Sequence, residues 1–187
     1  AAIGACVALG ARAIAVVSSA AKAAYVRSIG ADAVIVHTSE DFVARVKELT
    51  GGKGADRVVD VVGGETLARS IDAAARGGHI VLVGSLGGSA VTLSAGKIVA
   101  RWLTLSGSTL RPQSAATKAA IAEGLRRDLW PALGEGRIRP PRIRALPLEQ
   151  ASRAHAEMEK REHFGKLILL TDYGRSLADA DNSIELA

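Results

Sequence analysis

Aromatic residues are scarce in this sequence: two Trp, two Tyr and two Phe amount to 3% of 187 residues. The core must therefore be built from Ala, Val, Ile and Leu, which suit tightly packed layers of helices against a sheet. Hydrophobic residues nevertheless make up 48% of the chain. That share favours a globular fold over an intrinsically disordered chain.

Cysteine is also scarce, because Cys6 is the single one. The chain can therefore form no internal disulfide and has no Cys-x-x-Cys metal motif. No run reaches the roughly 18 consecutive apolar residues that a membrane span needs, and we expect a cytoplasmic protein with no membrane partner. The N-terminus lacks Met and the charged start of a signal peptide. It reads as the middle of a helix, so we expect the chain to begin inside a domain.

Motifs of several common enzyme classes are absent. The sequence contains no P-loop, no His-Glu-x-x-His zinc motif, no Gly-x-Ser-x-Gly elbow and no Tyr-x-x-x-Lys pair. It also lacks the Gly-x-Gly-x-x-Gly fingerprint, which in dinucleotide-binding folds lies between the first strand and the first helix. We expect that fingerprint just upstream of Ala1.

Short apolar runs alternate with helical patterns along most of the chain. Continuous apolar runs predict strands at 13–17, 33–36, 57–62, 79–84 and 103–107. Periodic patterns predict helices at 1–9, 20–29, 66–75 and 96–101, and one that Ser39 caps and that runs to Leu49. This alternation predicts an α/β fold, a doubly wound parallel sheet of the Rossmann type with helices on both faces.

The last third of the chain changes character. Ser114 opens a long helix, and Pro131 either kinks that helix or starts a new turn. The segment 136–147 reads as an extended excursion, followed by a helix over 149–160 and a strand over 165–170. The tail from Asp172 is polar, a composition compatible with disorder.

The end of the first predicted strand carries polar residues where an NAD site usually has an acid. Val17 leads into Ser18 and Ser19, with Lys22 nearby. Two hydroxyls, the N–H groups of a helix start and an ammonium group suit a 2′-phosphate. A plain N-cap at Ser19 and a solvated Lys22 explain the spacing equally well, and the missing acid favours the phosphate.

Glycine turns follow two later strands, at Gly63 and at Gly84-Ser85. Ligands of open α/β sheets bind at such strand ends, and glycine lets the backbone approach a cofactor closely. Taken singly, each turn is better explained by a tight turn that requires glycine.

Four arginines at 137, 139, 142 and 144 form the strongest charge cluster of a chain whose net charge is +5. A nucleic-acid surface could use such a run, with an affinity that depends steeply on salt. A solvated extended strand with its arginines outward is the simpler interpretation, because no aromatic-rich basic patch accompanies them. We therefore expect no nucleic-acid partner.

Short segments along the chain combine into a larger pattern, among them Asp60-Val61-Val62-Gly63-Gly64, Gly107-Ser108-Thr109-Leu110-Arg111 and His163-Phe164-Gly165-Lys166-Leu167. The order and spacing of all these segments resemble the medium-chain dehydrogenase/reductase superfamily, in its zinc-free quinone oxidoreductase branch. The similarity covers residues 1 to about 171, and its segments are 8–11, 28–32, 49–56, 60–67, 77–81, 107–111, 136–140 and 163–167.

The resemblance implies a two-domain subunit, in which a barrel-like domain precedes a Rossmann domain. It assigns residues 1–171 to an NADP-binding Rossmann domain that lacks its first strand, and residues 172–187 to a polar tail. Within the domain, residues 137–171 would return towards the missing catalytic domain. In the 3-2-1-4-5-6 strand order that first strand is central. We therefore expect a gap between two half-sheets and an isolated chain that is unstable.

The resemblance also implies roles for particular residues. Ser18, Ser19 and Lys22 would bind the adenosine 2′-phosphate, and His37 lies where relatives often place a Tyr against the adenosine. The cofactor cleft would be lined by Gly63, Gly84 and Ser85. Phe164, Gly165 and Lys166 would lie near the nicotinamide end.

The implied activity is transfer of hydride or electrons from NADPH to a quinone or another conjugated carbonyl, without a catalytic metal. The resemblance also implies a homodimer, formed through the edge strand near 103–107. The alternatives are a zinc-free enoyl or alkenal reductase and a nucleotide-binding module without catalysis. The catalytic residues stay unknown, because the chain offers no convincing acid–base residue.

Overall fold

The computed structural model describes residues 1–160 and 162–174, together with the backbone of Glu185–Leu186. The chain divides into two compact units, Ala2–Ile138 and the described residues from Arg139 onward. Within the described part of the chain, no helix is both long enough and apolar enough to cross a membrane.

The first unit alternates helices and strands along most of its length. Its elements are α1 (Ala2–Ala8), β1 (Ile14–Val17), α2 (Ala20–Ser28), β2 (Ala33–Val36), α3 (Phe42–Leu49), β3 (Ala55–Asp60), α4 (Glu65–Ala73), β4 (Ala74–Leu82), α5 (Ala95–Ala100), β5 (Thr104–Gly107), α6 (Ala115–Asp128) and α7 (Trp130–Gly134). All strand pairs in this unit are parallel. The predicted α/β class with a parallel sheet is therefore confirmed.

The strands of this unit form two sheets, with the orders β1-β2 and β3-β4-β5. Among the described strands, β1 pairs with β2 alone and β3 pairs with β4 alone. The division falls between β1 and β3, where the sequence predicts a gap. Each of these two strands therefore has one edge without a strand partner in the described chain.

Two hydrophobic clusters hold the first unit together. One joins Ile35 of β2 to Phe42 and Val46 of α3 and to Ala73 of α4, so that it connects elements next to both sheets. The other packs the helix α4 against Ile80 of β4, which is fully buried. Burying one side chain of this size contributes about 1.5–3 kcal/mol. The expectation of a core of mainly small aliphatic residues is confirmed.

The boundaries of two strands differ from the prediction of 57–62 and 79–84. The strand β3 ends at Asp60, because the side chain of Asp60 accepts hydrogen bonds from the N–H groups of Val62 and Gly63 and turns the chain there. The strand β4 begins at Ala74, directly after α4, and its pairing with β3 shifts register after Ala55.

The cap of α3 also differs from the prediction. Asp41 is the N-cap, and its carboxylate accepts a hydrogen bond from the N–H of Val43 at 3.0 Å. The hydroxyl of Ser39 instead donates to the carbonyl of Val36. Ser114 does cap α6, as the sequence predicts. Of the two alternatives for Pro131, the structure shows the new turn, because Pro131 lies in the first turn of the separate helix α7.

The second unit contains β6 (Ile143–Pro147), a 3-10 turn (Leu148–Gln150), α8 (Ala151–Glu159), β7 (Lys166–Leu170) and β8 (Glu185–Leu186). Its strands are parallel in the order β7-β6-β8. The predicted excursion over 136–147 therefore contains a central strand, in which Ala145 and Leu146 are fully buried.

The polar tail predicted from Asp172 falls mainly on residues 175–184 and 187, which lie outside the described residues. Glu185 and Leu186 form the strand β8 against β6. Two arginines of the basic run are compensated by acids, since Arg137 pairs with Glu135 and Arg144 with Glu157, both at 2.7 Å. This pairing supports the interpretation of the run as structural.

Candidate functional site

The turn between β1 and α2 brings together three residues that the sequence singles out. Ser19 has an extended backbone, and its hydroxyl caps α2 by accepting a hydrogen bond from the N–H of Lys22 at 3.3 Å. The ammonium group of Lys22 in turn donates to the hydroxyl of Ser18 at 3.2 Å. One cation and two hydroxyls therefore meet at the positive end of a helix dipole.

The end of β2 lies beside this turn, because β1 and β2 pair in register from Ile14↔Ala33 to Val17↔Val36. The N–H of His37 donates to the carbonyl of Val17 at 3.0 Å. The backbone of His37 therefore lies next to the turn that carries the two serines. His37 is exposed, and its contact with an adenosine stays a prediction.

Thr38 belongs to the same corner, although it is not among the residues predicted from the sequence. Its hydroxyl donates to the carbonyl of Ser18 at 3.2 Å and so ties the end of β2 to the serine turn. A hydroxyl residue two positions beyond an apolar strand is the signal that could have indicated it. We call Ser18, Ser19, Lys22, His37 and Thr38 the polar corner.

An acid also lies near the end of β2, but it is already compensated. Glu40 accepts a hydrogen bond from the N–H of Val36 at 2.8 Å and pairs with Arg45 at 3.2 Å. Glu48 and Glu40 together raise the pKa of the Arg45 guanidinium. The negative charge of Glu40 is therefore compensated by Arg45.

The turns after β3 and β4 pack directly on each other. Gly63 and Gly64 have φ of +70° and +55°, in the region that favours glycine. A Cβ on Gly64 would lie 2.5 Å from the carbonyl oxygen of Gly87, and one on Gly84 would lie 2.8 Å from that of Val61. Ser85 lies in the same contact, since its Cα would be 3.0 Å from a Cβ on Gly63. The close contact between the two turns is by itself enough to require these glycines. This agrees with the alternative in which they serve a tight turn and not a ligand.

Asp60 lies beneath the turn that follows β3, and no sequence motif singles it out. It is 3% exposed, and its Oδ1 accepts hydrogen bonds from the N–H groups of Val62 at 2.8 Å and Gly63 at 2.9 Å. Its Oδ2 is buried without a hydrogen-bond partner in the structure. An acid within an apolar run, three residues before a double glycine, is the available signal.

Phe164, Gly165 and Lys166 belong to the second unit. Gly165 has a φ of +73°, and a Cβ there would lie 1.9 Å from the carbonyl oxygen of Arg142. Lys166 begins β7, and its N–H donates to the same carbonyl at 2.8 Å. Gly165 is therefore required by the junction of β6 and β7. The placement of these three residues near a nicotinamide stays a prediction.

Metal-binding side chains do not gather in the described chain. Within residues 1–160 and 162–174, no three His, Cys, Asp or Glu side chains lie close enough together to hold a metal ion. Cys6 is a free thiol on α1.

Parallel strands covered by helices, with a polar corner and glycine turns at the carboxyl ends of the strands, define a nucleotide-binding α/β fold of the Rossmann type. One family model, described as zinc-binding dehydrogenase, matches residues 1–124. The chain belongs to this family, and within it to the quinone oxidoreductase branch of the medium-chain dehydrogenase/reductase superfamily.

Individual relatives agree with this assignment. Quinone oxidoreductase 1 of Escherichia coli is 34% identical over 170 residues, which cover 87% of this chain and 50% of the relative. A 2-haloacrylate reductase of a Burkholderia species is 32% identical, with coverage of 87% and 49%. The crystal structure of Escherichia coli quinone oxidoreductase complexed with NADPH superimposes with a TM-score of 0.77 at 31% identity, over 90% of this chain and 52% of that one. The chain thus spans about half the length of these relatives.

Proposed function

We propose that this chain is the cofactor-binding part of an NADPH-dependent oxidoreductase that transfers hydride or electrons to a quinone or another conjugated carbonyl. The observation that carries the proposal is the polar corner, in which the ammonium of Lys22 lies 3.2 Å from the hydroxyl of Ser18 at the start of α2. The similarity to a quinone oxidoreductase complexed with NADPH supports it.

The residues of the polar corner fit the 2′-phosphate that distinguishes NADPH from NADH. Lys22 supplies a positive charge, Ser18 supplies an exposed hydroxyl, and the first turn of α2 supplies the positive end of its dipole. An acid that accepts the ribose hydroxyls, as in NAD sites, is not among the residues of this corner. His37 would lie against the adenosine.

The nicotinamide cofactor supplies the hydride when it is bound. Within this chain, the polar corner holds the phosphate end, and the turns at Gly63, Gly84 and Ser85 line the cleft. Phe164, Gly165 and Lys166 contribute near the nicotinamide end. We assign no proton transfer to a residue of this chain, and a homodimer through β5 belongs to the same proposal.

The first experiment compares binding of NADPH and NADH to the full-length protein and to its Lys22→Ala variant. A charge-assisted hydrogen bond is worth about 1.5–3 kcal/mol, so the variant should bind NADPH about ten-fold or more weakly, while its affinity for NADH stays the same. Lys47→Ala, which changes an exposed lysine of α3, is the matched control. Equal losses for both nucleotides would contradict the role of Lys22.

A second candidate, an enoyl or alkenal reductase without zinc, is favoured by the similarity to the 2-haloacrylate reductase. Both candidates use the same cofactor site, so the acceptor alone separates them. The rate of NADPH oxidation should be measured with a simple benzoquinone and with an α,β-unsaturated carboxylate. Turnover of the quinone alone supports the first candidate, and turnover of the carboxylate alone supports the second.

A further inference from the structure

The segment 37–41 joins the end of β2 to the start of α3, and it carries His37 and Thr38 of the polar corner. Thr38 donates a hydrogen bond to the carbonyl of Ser18 at 3.2 Å, so the segment is bonded directly to the turn that carries the two serines. The shape of the polar corner therefore depends on how firmly the segment 37–41 is held.

An arginine of α4 holds the other end of this segment. Nη2 of Arg69 donates to Oδ1 of Asp41 at 2.7 Å, and the guanidinium lies over the ring of Phe42, 4.4 Å from its centre. The same Oδ1 accepts a hydrogen bond from the N–H of Val43, which makes Asp41 the N-cap of α3. The hydrogen bonds from Val43 and Arg69 lower the pKa of Asp41, so the carboxylate that Arg69 contacts is charged at neutral pH.

The helix that supplies Arg69 belongs to the other half of the first unit. In the chain, α4 lies between β3 and β4, whereas β1 and β2 form a separate sheet. Phe42, over which Arg69 lies, is 7% exposed and belongs to the cluster that joins Ile35 of β2 to Ala73 of α4. Arg69 therefore adds a charged link beside the hydrophobic contact of α3 with α4.

This link is too exposed to be a main source of stability. The side chains of Arg69 and Asp41 are 44% and 62% exposed, and ion pairs at such exposure contribute little to folding. A weak link can nevertheless decide how often a short segment holds one conformation. The affinity of a site falls in proportion to the fraction of molecules in the binding conformation. These magnitudes fit local ordering of the segment 37–41.

We infer that Arg69 is a positioning residue, which acts through Asp41 to hold the segment 37–41 in place for the adenosine end of the nucleotide. This inference rests on the proposed function, because it assigns that end of the nucleotide to the polar corner. Arg69 contacts Asp41 and Phe42, so its effect on the nucleotide passes through the segment that these two residues anchor.

The Arg69→Met variant tests the inference, because methionine keeps an unbranched apolar side chain and removes the charge and the hydrogen bond. Arg69→Lys keeps the charge and should restore part of the link to Asp41. Asp41→Asn keeps a good N-cap for α3 and removes the charge that Arg69 contacts, so it replaces Arg69→Met if that variant does not fold. Arg76→Met is the matched control, since Arg76 also lies over an aromatic ring, that of Trp102, at 4.2 Å.

NADPH and adenosine 2′,5′-bisphosphate, which contains the adenosine end alone, are titrated into the full-length protein. Arg69→Met should raise the Kd of both ligands by the same factor, about three-fold to ten-fold, with the stoichiometry unchanged. Arg69→Lys should recover part of the lost affinity, and Arg76→Met should bind both ligands as the wild type does. An unchanged Kd, a change in stoichiometry alone, or an equal loss in Arg76→Met would overturn the inference. If the wild-type protein binds neither ligand, the proposed function fails, and the inference fails with it.

Amide hydrogen exchange without any nucleotide tests the ordering of the segment directly. The N–H groups of His37, Ser39 and Glu40 are hydrogen-bonded to carbonyls of β1 and β2. These three amides should exchange about three-fold or more faster in Arg69→Met than in the wild type, and at the wild-type rate in Arg76→Met. Unchanged exchange in Arg69→Met would overturn the inference even if the Kd rises, because the segment would then be held without Arg69.

Discussion

The contact between the two glycine turns leads to a prediction for Gly64→Ala. Gly64 has a φ of +55°, and an added Cβ would lie 2.5 Å from the carbonyl oxygen and 2.9 Å from the carbonyl carbon of Gly87. A residue other than glycine in this backbone region costs about 1–3 kcal/mol. Displacing the packed backbone of Gly87 adds about 1–3 kcal/mol, as overpacking generally does.

The two costs together amount to a loss of about 2–6 kcal/mol in the free energy of unfolding, which is a large share of the roughly 5–15 kcal/mol of a typical domain. Gly51→Ala is the matched control, since Gly51 has a φ of +60° and an added Cβ would have no neighbour within 4 Å. Gly51→Ala should therefore lose only the roughly 1–3 kcal/mol that the backbone conformation costs. Urea denaturation of the full-length protein measures both losses. A loss for Gly64→Ala no larger than that for Gly51→Ala would refute the reasoning.

Three further predictions concern other parts of the chain. The N–H of Val43 and the side chain of Arg69 lower the pKa of Asp41. The stability that the Asp41 carboxylate contributes should therefore be present above its unfolded pKa and be lost as the pH falls through its folded pKa. Acid denaturation curves of Asp41→Asn should lack this pH-dependent loss of stability. Gly165→Ala should disrupt the junction of β6 and β7, because its Cβ would lie 1.9 Å from the carbonyl oxygen of Arg142; a circular-dichroism melt as high as that of the wild type would contradict this. The 187-residue chain on its own should melt without a cooperative transition, because β1 and β3 each have an edge without a strand partner among the described strands; a sharp calorimetric peak would count against it.

The fold class could be predicted because the strands are continuous apolar runs separated by helical patterns. Strands buried on both faces have this pattern in parallel sheets. The segment 33–36 was predicted with the bounds that β2 has in the structure. Hydrophobic periodicity is a local property of the chain, so these elements needed no knowledge of their neighbours.

The errors arose where side chains or distant segments decide the local structure. Val61 and Val62 continue the apolar run of β3, but the carboxylate of Asp60 captures two N–H groups and ends the strand. The arginines and prolines around β6 predict an extended excursion, although β6 is the central strand of its sheet. Its burial comes from β7, which lies about twenty residues further along the chain.

The candidate site was predicted in part for similar reasons. Ser18, Ser19 and Lys22 are close in sequence, so their hydrogen bonds follow from the start of one helix. Thr38 reaches the same corner through the pairing of β1 with β2, which no local pattern reveals. Asp60 was missed because its importance depends on burial beneath a turn, which a sequence does not show.

The central claim is that the polar corner binds the 2′-phosphate of NADPH. Calorimetric titration of the full-length protein with NADPH and with NADH tests it most directly. We expect NADPH to bind about ten-fold or more tightly than NADH, since only NADPH has the 2′-phosphate that can accept the charged hydrogen bonds. Equal affinities, or tighter binding of NADH, would contradict it.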